Sequence, residues 1–215
     1  MNTKRILSIV LALATCSCYG QELKTFEARN GVDFAYELML PEGYDKSKSY
    51  ELAMVFSEIE ADNHGFEPTR SALKEVQGLK NMILFIPKVP LGKPHWISHP
   101  IHHGLNDFMK NMRSSYGKPN QKFHFIGHLR GGRVAQTYSG MSSEYVASVS
   151  FANSTHWTIT KQEYFDGIFN LGFKVYVYSD QPAKNLALNV SKTIFKQVSD
   201  FGNAISLIDE KIRSY

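Results

Sequence analysis

Apolar positions along the chain alternate between two periods, short runs of strand type and longer stretches at helical spacing. Phe34 to Leu40 alternates into the turn Pro41-Glu42-Gly43-Tyr44, and Tyr50 to Phe56 is a second apolar strand. A short helix is predicted over Glu67 to Val76. Asn81 to Pro87 is apolar on both faces, which suits a central strand covered by helices on each side. Leu105 to Tyr116 reads as a helix with Leu105, Phe108, Met109 and Met112 on one stripe. Lys122 to Ile126 is a strand, followed by Gly127-His128-Leu129-Arg130-Gly131-Gly132 and a helix from Arg133 to Tyr145. Beyond it come a strand over Val146 to Phe151, a helix over Gln162 to Phe169 and a β-prone run from Phe173 to Tyr178. A last helix over about Leu186 to Val198 and a closing strand over Ala204 to Ile208 complete the pattern. Strands separated by helical stretches predict an α/β fold: one mostly parallel sheet with helices on both faces and ligands beyond the carboxyl ends of the strands.

The amino-terminal twenty residues stand outside this pattern. Lys4 and Arg5 precede an apolar core, Ile6 to Ala14, that is too short to span a bilayer, and small residues follow, as in a signal peptide. Two processing routes fit: cleavage after Gly20, or a lipoprotein-like segment Leu13-Ala14-Thr15-Cys16 with a lipid anchor on Cys16 or Cys18. Both imply an extracytoplasmic protein, periplasmic, secreted or anchored to the envelope. Residues 21–215 then form the mature chain, a length suited to a single domain. Both cysteines of the sequence lie inside the signal, so the mature chain has no disulfide and no cysteine-ligated metal. Its charge is nearly balanced, about 22 basic against 20 acidic side chains, without a basic run or an aromatic stripe interleaved with one. That excludes a nucleic-acid signature. No second apolar span of membrane length follows the signal.

Strand, glycine turn and helix around Gly127 to Gly132 form the setting of a nucleophile elbow. Three strings resemble the α/β-hydrolase family, in particular small secreted esterase or peptidase-like members. They are Leu40-Pro41-Glu42-Gly43-Tyr44-Asp45, Phe125-Ile126-Gly127-His128 leading into Arg130-Gly131-Gly132-Arg133-Val134-Ala135, and Lys174-Val175-Tyr176-Val177-Tyr178-Ser179-Asp180. The resemblance covers about Phe34 to Ile208 and implies a compact hydrolase-like fold without a large cap domain. Its elbow pattern is G-x-S-x-G, and aligning Gly127 and Gly131 puts Leu129 in the nucleophile's place. A hydrocarbon side chain offers no oxygen or sulfur to attack a carbonyl. Asp180 matches the position of the acid, as a remnant. The histidine expected after the last strand is absent, since none follows His156. After the first core strand the usual histidine-glycine pair is replaced by Ser57-Glu58, and a carboxylate at Glu58 or Glu60 would repel a developing oxyanion; His64-Gly65 is the substitute further along.

The expectation is therefore a degenerate active site in a non-catalytic protein that binds a small molecule or a partner protein. His128, Arg130, His156 and Trp96 are the candidate ligand-binding residues, Arg130 and Arg133 flanking a helix start that favours anions, with capping, or pairing to Glu144 or another surface carboxylate, as the plain alternative for the arginines. Trp96 and Trp157 serve equally as pocket walls or as core. No cofactor is assigned. The alternative is a hydrolase with rearranged catalytic groups. It could use Ser154 or Ser179 activated by His128 or His156. It could also use zinc-bound water held by rim histidines, with His95, His99, His102 and His103 as the candidate ligands and Asp62, Asp107 or Asp180 as a carboxylate. Seven of the eight histidines follow predicted strands, which places them on one rim of the sheet, and only His124 sits inside a strand.

Overall fold

The computed structural model describes residues 23–58, 62–76, 78–154, 174–180 and 194–212. Eight strands form one sheet: β1 (Lys24–Glu27), β2 (Asp33–Met39), β3 (Glu51–Phe56), β4 (Met82–Pro87), β5 (Phe123–His128), β6 (Val146–Ala152), β7 (Lys174–Ser179) and β8 (Ile194–Gln197). Their spatial order is β1-β2-β4-β3-β5-β6-β7-β8. The first two strands pair antiparallel, and from β4 to β8 every pairing is parallel. Four α-helices accompany them among the described residues: α1 (Phe66–Glu75), α2 (His99–Tyr116), α3 (Gly131–Met141) and α4 (Phe201–Ile212).

Strand side chains alternate between two faces, and each face finds its own helices. On one side Leu52, Met54 and Phe56 of β3 join Phe123 and Phe125 of β5 in a cluster with Leu105, Phe108 and Met109 of α2 and with Val134, Ala135 and Tyr138 of α3. On the other, Ala53 and Val55 join Ile126 and Tyr178 in a cluster with Phe66 and Leu73 of α1 and with Phe201, Ala204, Ile205 and Ile208 of α4. The crossover β3-α1-β4 steps toward the β1 edge, while β4-α2-β5 and β5-α3-β6 step the other way with their helices on the opposite face. Reversing both direction and face keeps one handedness throughout, as the right-handed crossover rule requires. No separate cap domain is present among the described residues.

Three segments differ from the sequence pattern. Ala204 to Ile208, expected as a closing strand, lies inside α4: Phe201, Ala204, Ile205, Ile208 and Ile212 are buried at helical spacing, and Asp200 Oδ1 accepts the Asn203 N–H at 2.8 Å at the helix start. Within the expected helix over Leu186 to Val198, Ile194–Gln197 is instead the edge strand β8, paired parallel to β7, and residues 186–193 lie outside the described residues. The edge strand β1 has no counterpart in the sequence reading; its four residues are mostly exposed and carry little apolar signal. The helix expected over Gln162 to Phe169 lies outside the described residues, as do His156 and Trp157.

One carboxylate joins the end of the chain to the middle of the sheet. Asp209 of α4, 5% exposed, accepts the backbone N–H groups of Lys80, Asn81 and Met82 at 2.9, 3.0 and 3.1 Å. It thereby satisfies the start of β4, where donors precede the ladder. No helix among the described residues is long and apolar enough to cross a membrane.

Candidate functional site at the elbow

The turn between β5 and α3 requires the glycines that frame it. A Cβ on Gly127 would meet the backbone of Gly132, and one on Gly131 would meet the carbonyl of Phe56 at the end of β3. With no side chains there, α3 starts directly against the sheet. Leu129, between them, has φ of 48°, the left-handed region that a branched side chain adopts only under constraint. Part of that constraint is Ser154 beyond β6, whose hydroxyl donates to the Leu129 carbonyl at 2.7 Å. The elbow thus keeps the strained geometry that displays a nucleophile while displaying a half-buried leucine.

In the loop after β3, Glu58 is 3% exposed, and Gly65 packs so closely on the Ser57 carbonyl that a Cβ there would meet it. Glu58 Oε2 accepts the Gly65 N–H at 3.2 Å, and Glu58 Oε1 lies 3.2 Å from Nε of Arg130, the residue immediately after Leu129. A negative group therefore already occupies donors beside the elbow. The Gly65 N–H, which with His64 was the substitute for the missing histidine-glycine pair, is engaged by this carboxylate, and His64 itself is exposed near Asp62. Arg130 does pair with a carboxylate, but with the buried Glu58 rather than with Glu144 or another surface one.

His128 ends β5 and is 6% exposed. Thr69 of α1 spends its single hydroxyl proton on the Gly65 carbonyl at 2.7 Å, so at 2.7 Å from His128 Nδ1 it must accept that nitrogen's proton. This fixes the Nδ1–H tautomer of a ring that also stacks on Phe201, with centroids 3.7 Å apart. Burial pushes the imidazole down to a pKa of about 3, so it is neutral at pH 7. Such a ring is a feeble general base. Thr69, fully buried with its proton committed, is no nucleophile.

The remaining candidates separate in space. Asp180 follows β7, where the resemblance places the acid; its N–H donates to Asn153 Oδ1 at 3.0 Å. Trp96, 1% exposed, packs in the core between Phe34 and Phe56, and its carbonyl accepts the Tyr138 hydroxyl at 2.7 Å. It is core rather than an exposed wall. His102 Nε2 lies 3.0 Å from the Met141 carbonyl at the far end of α3, about 15 Å of helix away from the elbow. The α2 histidines are therefore not gathered around Leu129. Asp107 pairs with Arg29, and among the described residues no three metal-ligating side chains converge.

A hydroxyl, an imidazole and a carboxylate do fall in line at the opposite, amino ends of the strands. Ser148 Oγ is 2.7 Å from His124 Nδ1, and His124 Nε2 is 3.6 Å from Glu51 Oε2. Sequence reasoning missed this row because its members come from three different strands. Ser148 and His124 are 7% and 9% exposed, and the row braces adjacent strands. A cavity of about 520 Å³ opens nearby, lined by Glu42, Lys48, Glu51 and Asn81 among others.

No protein-family model matches the sequence, and comparison with curated proteins finds no match. Solved structures do resemble it. A thermostable esterase superposes with a TM-score of 0.58 at 15% identity, over 90% of this chain and 62% of that one, so the chain spans less than two thirds of that esterase. A serine hydrolase without a lid from Xanthomonas campestris gives 0.56 at 10% identity, over 89% and 90% of the two chains. A poly(3-hydroxybutyrate) depolymerase from Bordetella parapertussis gives 0.57 at 11% identity, over 90% of each. The chain has the α/β-hydrolase fold.

Proposed function

We propose that this chain is an extracytoplasmic α/β-hydrolase-fold protein whose ancestral catalytic site is retired and which acts by binding a small molecule or a partner protein. One observation carries the reading: at the strained turn built to display a nucleophile stands Leu129, and two donors beside it, the Gly65 N–H and Arg130 Nε, are engaged by the chain's own Glu58 carboxylate. Acyl transfer needs an activatable nucleophile, a base and free donors aimed at the oxyanion. Leu129 supplies none of the first, and His128, neutral with its Nδ1 proton held by Thr69, is a weak candidate for the second. The Gly65 N–H is unavailable for the third.

His128 and Arg130 remain the ligand-binding candidates at the elbow, where the helix start favours an anionic group that would share Arg130 with Glu58. His156 is the third proposed member. The signal-like residues 1–20, with residues 21–215 as one mature domain, support export, either as a free protein or through a lipid on Cys16 or Cys18. If the protein does turn over a substrate, the fold's company points to hydrolysis, although fold alone is a poor witness to activity. The test is turnover of short p-nitrophenyl esters by the purified processed protein and by Leu129→Ser. Neither is expected to exceed the buffer rate.

A further inference from the structure

Away from the elbow, the first turns of α2 carry two histidines whose ring nitrogens meet. His99 and His103 are both exposed, four residues apart on one helix face, with ring centroids 4.4 Å apart and planes at 72°. Their Nε2 atoms are 3.1 Å apart. Two neutral imidazoles at that distance form one hydrogen bond, the Nε2–H of one ring pointing at the Nε2 lone pair of the other. The separation also lies between the ~2.9 Å and ~3.3 Å expected for two imidazole nitrogens bound to one zinc-sized ion at right-angled and tetrahedral angles, from metal–nitrogen bonds of about 2.0–2.1 Å.

We propose that His99 and His103 form a two-imidazole clamp for a divalent transition-metal ion, with the remaining coordination positions open to water or to an exogenous ligand. The ion takes the place of the proton in that hydrogen bond. The ring that donated it moves that proton to Nδ1, so both Nε2 lone pairs face the metal and no net proton is released from neutral rings. The neighbouring histidine does not compete, because His102 Nε2 is held between the Met141 carbonyl at 3.0 Å and Ser142 Oγ at 3.1 Å.

Ligand type sets the ion. Imidazole donors favour copper and zinc, Cu(II) binding more tightly than Zn(II), whereas magnesium and calcium seek oxygen. Pro100 and His99 stand at the helix start, whose dipole opposes any cation. Hard ions, with only electrostatics to draw them, are therefore excluded, and affinity rests on the nitrogen–metal bonds. With two protein ligands, the site stays open, unlike a closed four-ligand structural site. The proposal is independent of the retired elbow, which lies at the other end of α3, and either can fail without the other.

The experiment is a Cu(II) titration of the untagged processed protein, followed by calorimetry and by electron paramagnetic resonance. One equivalent is expected to bind with hyperfine coupling from two nitrogens. His99→Gln and His103→Gln should each weaken binding about ten-fold or more, the scale on which metal sites respond even to loss of a supporting group. His102→Gln should leave it unchanged, and Mg(II) should not compete. Circular dichroism of each variant shows whether α2 remains folded. Binding by the His99→Gln/His103→Gln double variant equal to that of the unaltered protein, or no binding by the unaltered protein, overturns the proposal.

Discussion

Oε1 of Glu58 lies 3.2 Å from Nε of Arg130, and this ion pair joins the loop after β3 to the residue that follows Leu129. The carboxylate is nearly fully buried and the guanidinium only partly so. Removing one partner of a buried pair leaves the other charge uncompensated, which costs more than the pair is worth intact. Arg130→Met should lower stability by about 1–3 kcal/mol after allowance for the exposure of Arg130, while Glu58→Gln/Arg130→Met should recover part of that loss. A double-mutant cycle in urea measures the coupling.

The His128 ring predicts a signature in acid. Its pKa lies near 3 in the folded protein and near 6.5 when exposed, so between these values the unfolded chain binds the extra proton. Stability contributed by the neutral ring is complete above about pH 6.5 and is lost progressively as pH falls toward 3. Between pH 7 and pH 4 the loss from this group reaches at most about 3 kcal/mol. His128→Phe, which keeps an aromatic face for Phe201 and cannot titrate, should flatten the slope of unfolding free energy across that interval. An unchanged slope would show that His128 does not titrate as its burial requires.

The glycine frame predicts a large effect from a single methyl group. Gly131→Ala drives a Cβ into the Phe56 carbonyl, a backbone atom of a central strand that cannot swing aside. Overpacking of this kind costs about 3 kcal/mol. Gly140→Ala, where a Cβ meets open space, is the control and should leave the thermal midpoint unchanged or slightly raised. Thermal melts of the two variants separate close packing at the elbow from general helix effects.

Asp209 should be among the most sensitive polar positions. Asp209→Ala strands three backbone donors at the start of β4, each previously bonded to a charged acceptor. The expected loss is about 3 kcal/mol. Hydrogen exchange should locate it at Lys80, Asn81 and Met82 and in α4.

Much of the sheet was legible because its central strands are rich in apolar residues: Met82 to Pro87 is apolar on both faces in sequence and buried throughout in space, and Phe123 to Ile126, interrupted only by His124, is buried as well. The carboxyl-terminal third was harder. Ala204-Ile205-Ser206-Leu207-Ile208 is short and apolar enough to pass for a strand until Phe201 and Ile212 are included, which restores the helical period. Ile194–Gln197 is exposed on an edge, where burial imposes no alternation. At the site, Leu129 could be read directly from its glycine frame, and the danger of a carboxylate at Glu58 followed from its place after β3. The partners could not. Thr69 and His128 are 59 residues apart and Glu58 reaches Arg130 only through the fold. Trp96 looked as suited to a pocket wall as to the core, because an aromatic side chain serves both and only burial distinguishes them.

The most direct test of the proposal that the site is retired is the initial rate of p-nitrophenyl acetate and butyrate hydrolysis by Leu129→Ser beside the unaltered protein. With His128 neutral and weakly basic and the Gly65 N–H held by Glu58, the new hydroxyl meets no effective base among the described residues and lacks the donor of the loop after β3, and both proteins should stay at the buffer rate. Saturable turnover in Leu129→Ser, or in the unaltered protein, would contradict the account.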